Sequence, residues 1–167
     1  MGNLYFEEEF ISLERHYPIV DENGLEKYFL DQGLVTTKYK SEVSKTDGFH
    51  AMTIERTKTF GNLEYLVEFS DGSQMEVKKD GESSIEARLK DEVLRLYGDF
   101  EKFNLDVSNS QGQTIGAIRK ESKKASMYYG VFIDNQAYEQ ILLGLGICIA
   151  NMVNTKGSTS IIIGSSI

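Results

Sequence analysis

Apolar residues alternate with polar ones in short runs along most of the chain. Turn pairs separate the runs: Asn23-Gly24, Gln32-Gly33, Asp47-Gly48, Gly61-Asn62, Asp71-Gly72, Asp80-Gly81 and Gln111-Gly112. Alternation punctuated at this spacing predicts an all-β sandwich or barrel. Two hairpins follow in detail. Leu63, Tyr65, Val67 and Phe69 alternate up to Ser70-Asp71-Gly72, and Met75 and Val77 alternate beyond it. A two-residue Asp-Gly loop would set Phe69 against Gln74 and spoil the apolar face. A three-residue loop sets Val67 against Met75 and Tyr65 against Val77, and puts Gly72 where a type I turn with a bulge needs a left-handed residue. By the same logic the loop Ser110-Gln111-Gly112 joins Phe103, Leu105 and Val107 to Ile115 and Ala117 on one face. Met127–Asp134 is a further strand, with Met127, Tyr129, Val131 and Ile133 on one side and Tyr128 and Phe132 on the other. Shorter strands are expected near Lys27–Leu30, Leu34–Lys40 and Phe49–Thr57.

Two segments have a helical period instead. In Ser83–Tyr97, Ile85, Leu89, Val93 and Leu96 fall on one stripe, Ser83 and Glu86 have capping-box spacing, and Gly98 is placed as a stop. Glu86/Lys90 and Asp91/Arg95 then form i,i+4 pairs on the wet side. The spacing predicts an amphipathic helix, inserted at about 83–98. The run Ile141–Val153 holds a single polar residue, Asn151. It is apolar all round, so no face suits water. As a helix those residues span about 20 Å, short of the roughly 30 Å of a bilayer core. A buried central helix at about 137–153 is therefore expected rather than transmembrane insertion. Gly144 and Gly146 weaken that helix unless side chains around it approach closely. Ser158–Ile163 would return as a last strand.

The 167 residues suit one domain, and a chain of this length builds a core without staples. The net charge is −8, and it is uneven: residues 1–100 hold 12 basic and 21 acidic side chains, residues 101–167 hold 6 and 5. Nucleic-acid binding draws on positive charge that this chain lacks, so no nucleic-acid partner is expected. The one local basic cluster is Arg119, Lys120, Lys123 and Lys124. It is the candidate anion site, set against an ordinary solvated turn between two strands. The single cysteine, Cys148, allows no intramolecular disulfide, and the acidic Met1–Phe10 lacks the pattern of a secretory signal. A cytoplasmic location is expected, peripheral at a membrane if the ligand is a lipid.

The order strand, turn, strand, strand, apolar helix carries a resemblance. Leu105–Lys120 (LDVSNSQGQTIGAIRK), Tyr128–Asp134 (YYGVFID) and Tyr138–Asn151 are similar to the "D…G…IG.I.RK" hairpin, the penultimate strand and the central helix of the tubby C-terminal-like superfamily, which includes LURP-one-related proteins and phospholipid scramblases. The match covers residues 103–153. It implies an antiparallel β-barrel closed around a hydrophobic C-terminal helix, as a single tubby-like domain over residues 1–167. Tubby proteins bind phosphoinositide head groups through Lys and Arg on the barrel wall; no position here matches those ligands, and the acidic first hundred residues oppose a strong headgroup site.

Catalytic chemistry is sparse. His16 and His50 have no partner at metal-helix spacing, so no metal site is expected. Cys148 lies mid-helix among Leu, Ile and Ala, whereas a nucleophilic thiol needs an electropositive, partly exposed setting. Gly144-Leu-Gly146 lacks the third glycine of a dinucleotide fingerprint. No cofactor is expected. The resulting expectation is a non-enzymatic module that binds a lipid or other anionic small ligand, or a protein partner. The alternative is an acidic interaction or inhibitor protein that docks a basic partner. A hydrolase using Cys148 or a histidine ranks below both.

Overall fold

The computed structural model describes residues 2–7, 16–32, 39–58, 63–79, 84–123 and 126–165, the side chains of 122, 123, 126 and 153–165 excepted. Twelve strands follow in chain order: β1 (Leu4–Glu7), β2 (His16–Val20), β3 (Glu26–Gln32), β4 (Lys40–Lys45), β5 (His50–Lys58), β6 (Glu64–Phe69), β7 (Gln74–Lys79), β8 (Ile85–Arg88), β9 (Val93–Asp99), β10 (Asn104–Ser108), β11 (Thr114–Lys123) and β12 (Ser126–Ile133). Each pairs antiparallel with its neighbours in sequence. β1 also pairs with β12, with Leu4 opposite Val131 and Phe6 opposite Tyr129, and the ring closes. A 3-10 turn, Gln136–Tyr138, leads into α1 (Glu139–Ser165).

Period-two alternation decides which residues face the lumen. Ile19, Leu30, Val43, Ile54, Val67, Met75, Ala87, Leu94, Leu105, Ile118 and Val131, one or more from each of β2 to β12, are all buried. α1 fills the space they enclose. Leu142, Leu143, Leu145, Ile147, Cys148, Ile149 and Ala150 are all buried. At 100° per residue these positions circle the helix completely, so only an enclosing wall can cover them. The glycines locate that wall. A Cβ on Gly144 would stand 3.0 Å from Met52 Sδ and 3.3 Å from Val67 Cγ1; one on Gly146 would stand 2.9 Å from Val131 Cγ2. Met52 and Val67 lie on β5 and β6, while Val131 lies on β12, half the ring away. The two glycines let the helix approach opposite walls at once. Asn151, the one polar residue of the run, is buried and accepts a hydrogen bond from the Tyr65 hydroxyl.

The β6–β7 hairpin has the expected loop and register: Val67 faces Met75, Tyr65 faces Val77, and Gly72 has φ +88°. The β10–β11 loop is also as expected, with Gly112 at φ +79°. Its register is not. A bulge between Val107 and Ser108 shifts the pairing by one, so Val107 faces Gly116 and Leu105 faces Ile118. Gly116 and Ile118, in place of Ile115 and Ala117, therefore stand opposite Val107 and Leu105, while Ile115, the extra residue of the bulge, is still buried in the core.

Two expected elements are corrected. Residues 84–98, the described part of the segment at about 83–98, do not form an additional amphipathic helix. They give β8 and β9, joined by a tight turn in which the Leu89 N–H donates to the Glu92 carbonyl at 2.8 Å. Ile85, Leu89, Val93 and Leu96 fit a 3.6 period, but Ile85 with Ala87 and Leu94 with Leu96 fit a period of two, and these four are the buried ones. Glu86 meets Arg95 across the ladder at 3.8 Å. Gly98 is a strand residue at φ +134°, so close to β10 that a Cβ would lie 2.1 Å from Asn104 O. Nor does Ser158–Ile163 return as a strand; α1 continues to Ser165. Once β1 has paired with β12 the ring offers no edge for a further strand. Of the other expected strands, those near Lys27–Leu30 and Phe49–Thr57 are β3 and β5. Residues 34–38 of Leu34–Lys40 lie outside the described residues, and Lys40 opens β4.

Candidate ligand site at the barrel mouth

An antiparallel ring puts alternate connections at the same end. The β2–β3, β4–β5, β6–β7, β8–β9 and β10–β11 turns and the β12–α1 junction share one mouth of the barrel. There the inward row of β3 and β4 continues past Leu30 and Val43 to Tyr28 and Lys45, which face each other across the ladder. α1 begins with Glu139 beside them. The Tyr28 hydroxyl donates to Glu139 Oε2 at 2.8 Å and the Gln136 side-chain amide to Oε1 at 2.7 Å. A carboxylate in the first turn of a helix is also favoured by the helix dipole. Between these groups and the β2–β3 turn lies an open cleft of about 450 Å3, lined by Asp21, Lys27, Tyr28, Lys45, Gln136 and Glu139 with Gly2 and Leu4.

The cleft carries both signs of charge. Asp21 Oδ1 accepts the backbone N–H groups of Asn23 and Leu25 at 2.8 and 3.0 Å, which fixes the turn, and Oδ2 lies 3.9 Å from Lys27 Nζ. Burial, and then the bond to Glu139, raise the Tyr28 pKa above the ordinary tyrosine value, so the hydroxyl remains a donor. Lys45 is different. Its Nζ sits 5.5 Å over the Phe49 ring. Among the described residues no carboxylate lies within ion-pairing distance of it. A half-buried amine facing a cleft without a carboxylate of its own favours an anion there.

The basic cluster singled out in the sequence is split by the strand that carries it. Arg119 stands opposite Gly130 on the outer face, 2.9 Å from Asp106 and hydrogen-bonded to the Asn104 side chain. Lys120, one position on, stands opposite Tyr129 and takes the other side of the wall. Lys123 belongs to β11 by its backbone, and Lys124 lies outside the described residues. The mouth residues were not singled out in the sequence. The signal was the alternation Ser41, Val43, Lys45: it places a lysine on the core face one residue before the Asp47-Gly48 turn region.

The thiol and the imidazoles are apart. Cys148 is 0% exposed inside the barrel, and burial raises its pKa above the ordinary thiol value. His50 is exposed, with Nε2 3.0 Å from Thr53 Oγ1, and His16 pairs on the surface with Asp31 at 2.6 Å and stacks on Phe29. No Cys148–His50 dyad is formed. Among the described residues no three His, Cys, Asp or Glu side chains group to hold a metal ion, and no helix is long and apolar enough to cross a membrane.

No family model matches the chain, and no curated protein matches it. Among solved structures it is similar to the X-ray structure of the Arabidopsis thaliana protein AT5G01750, with a TM-score of 0.58 and 12% identity over 89% of this chain and 90% of that one. At that identity the likeness establishes a shared fold.

Proposed function

We propose that this protein is a non-enzymatic, tubby-like binding module, related to the LURP-one and scramblase barrels. In this reading it takes the anionic group of a small ligand in the cleft at the barrel mouth. The barrel closed around an apolar helix supports the family. The observation that carries the site is Lys45, turned into a cleft of about 450 Å3 with no carboxylate paired to it. Lys27 supplies a second amine, and Tyr28 and Gln136 hold the facing Glu139 in place. Arg119, Lys120, Lys123 and Lys124 are the competing anion site on the wall. The sealed Cys148 and the separated histidines give no support to the hydrolase alternative.

Isothermal titration with inorganic phosphate and glycerol phosphate distinguishes the two sites. Lys45→Ala is expected to weaken binding roughly tenfold or more, in line with the loss of one charge-assisted contact of about 1.5–3 kcal/mol. Arg119→Ala is expected to leave it within about twofold. The reverse ranking would move the site to the wall, and no binding of either anion by the intact protein would defeat the reading.

A second reading has an observation of its own. Ladder pairing brings Asp31, Glu42, Thr53 and Glu68 into one row across the outer face of β3 to β6. Carboxylates set side by side repel one another, and a basic protein partner would relieve that repulsion.

A further inference from the structure

One turn is used four times at the ligand-site mouth. Gly24, Gly48, Gly72 and Gly112 have φ of +82°, +90°, +88° and +79°. Each donates its N–H to the carbonyl three residues earlier, at 2.9 to 3.0 Å. The residue after the glycine is Leu25, Phe49, Ser73 and Gln113 in turn. Because Ser and Gln serve in the same backbone, the turn does not require an apolar side chain at that position. Yet Leu25 is 62% exposed and Phe49 52% exposed. Both belong to adjacent hairpins, joined through the β3–β4 ladder, and these hairpins also supply Asp21, Lys27, Tyr28 and Lys45 to the cleft. Large apolar side chains held in water at two tips, flanked by lysines, are a cost that a contact would remove.

We infer that this mouth docks on a zwitterionic phospholipid surface: Leu25 and Phe49 enter the interface, and the cleft receives a lipid headgroup. The inference rests on the ligand reading above and names the source of its anion. Charge selects the surface. The cleft holds Lys45 and Lys27 alongside Asp21 and Glu139, which matches a headgroup that holds a phosphate and an ammonium together. A bilayer of net negative charge would meet a protein of net charge −8, with Asp21, Glu22, Glu26 and Asp47 around these tips. Two side chains of this size give reversible rather than permanent attachment.

Flotation of the full chain with phosphatidylcholine vesicles, and titration with soluble phosphocholine, test this together. The intact protein is expected to float with the vesicles. The double variant Leu25→Ser, Phe49→Ser is expected to partition about 100-fold less, from the loss of two apolar side chains at roughly 1.5 kcal/mol or more each, while it binds soluble phosphocholine as before. Both variants have a precedent in the polar residues of the sister turns, so folding is preserved. Lys45→Ala is expected to weaken both measurements. Absence of flotation with phosphocholine binding intact would overturn membrane docking and leave the ligand site standing. So would equal flotation by the double variant, or a preference for anionic vesicles that survives it. Loss of phosphocholine and phosphate binding alike would overturn the ligand site itself.

Discussion

Leu142→Asp and Ile147→Asp are each expected to leave the chain without a folded barrel. Both side chains are completely buried, and they lie on a helix whose every face meets a strand. Either change removes a large apolar group, worth about 2 kcal/mol or more, and sets a carboxylate among the buried apolar side chains of the lumen, at a cost of several kcal/mol. Domains of this size hold roughly 5–15 kcal/mol of stability in all. The expected result is a chain with no cooperative urea transition and no native β-type circular dichroism. A native-like spectrum from either variant would place the helix outside the barrel, where an aspartate turns to water.

The second large effect belongs to Gly116. A Cβ there would lie 2.3 Å from Phe132 O and 2.7 Å from Leu142 Cδ1. The first is the backbone of the neighbouring strand, which does not give way cheaply; the second is the tip of the buried Leu142 side chain on the helix. Gly116→Val should cost about 3 kcal/mol or more, at the upper end of what overpacking produces. Gly116→Ala should follow in the same direction with a smaller loss. Gly2→Ala, which meets nothing within 4 Å, is the matched control and is expected to change the denaturation midpoint little. If Gly116→Val unfolded at the same urea concentration as the parent, the close packing of β11 on the helix would be wrong.

The pattern along the chain carried most of this architecture, for physical reasons. A three-residue loop with glycine third admits one register, and Val67–Met75 and Tyr65–Val77 have it. A run with no polar face has nowhere to go except into a core, and Leu142–Ala150 is there. Where the sequence misled, two periods fitted the same residues. Ile85, Leu89, Val93 and Leu96 satisfy a helix, and only closure of the ring by β8 and β9 makes the alternative win. The bulge at Val107/Ser108 shows a second limit. A single inserted residue moves every later side chain to the other face, and local composition carries no mark of it. The candidate site was harder still. Arg119 and Lys120 look like one patch in a linear reading, but a strand sends neighbours to opposite sides. The mouth cleft gathers Asp21 and Lys27 from one hairpin, Lys45 from β4 and Glu139 from α1, and a closed ring is needed to bring them together.

Enclosure of the apolar helix by a closed wall of strands has a built-in reporter. Cys148 is the only cysteine and sits midway along the enclosed part of α1. Thiol labelling of the native protein, followed over time and repeated in denaturant, is the most direct measurement. No labelling is expected at neutral pH while the barrel is folded, and one equivalent per chain once denaturant has unfolded it. Rapid stoichiometric labelling of a chain that retains its native spectrum would contradict that enclosure.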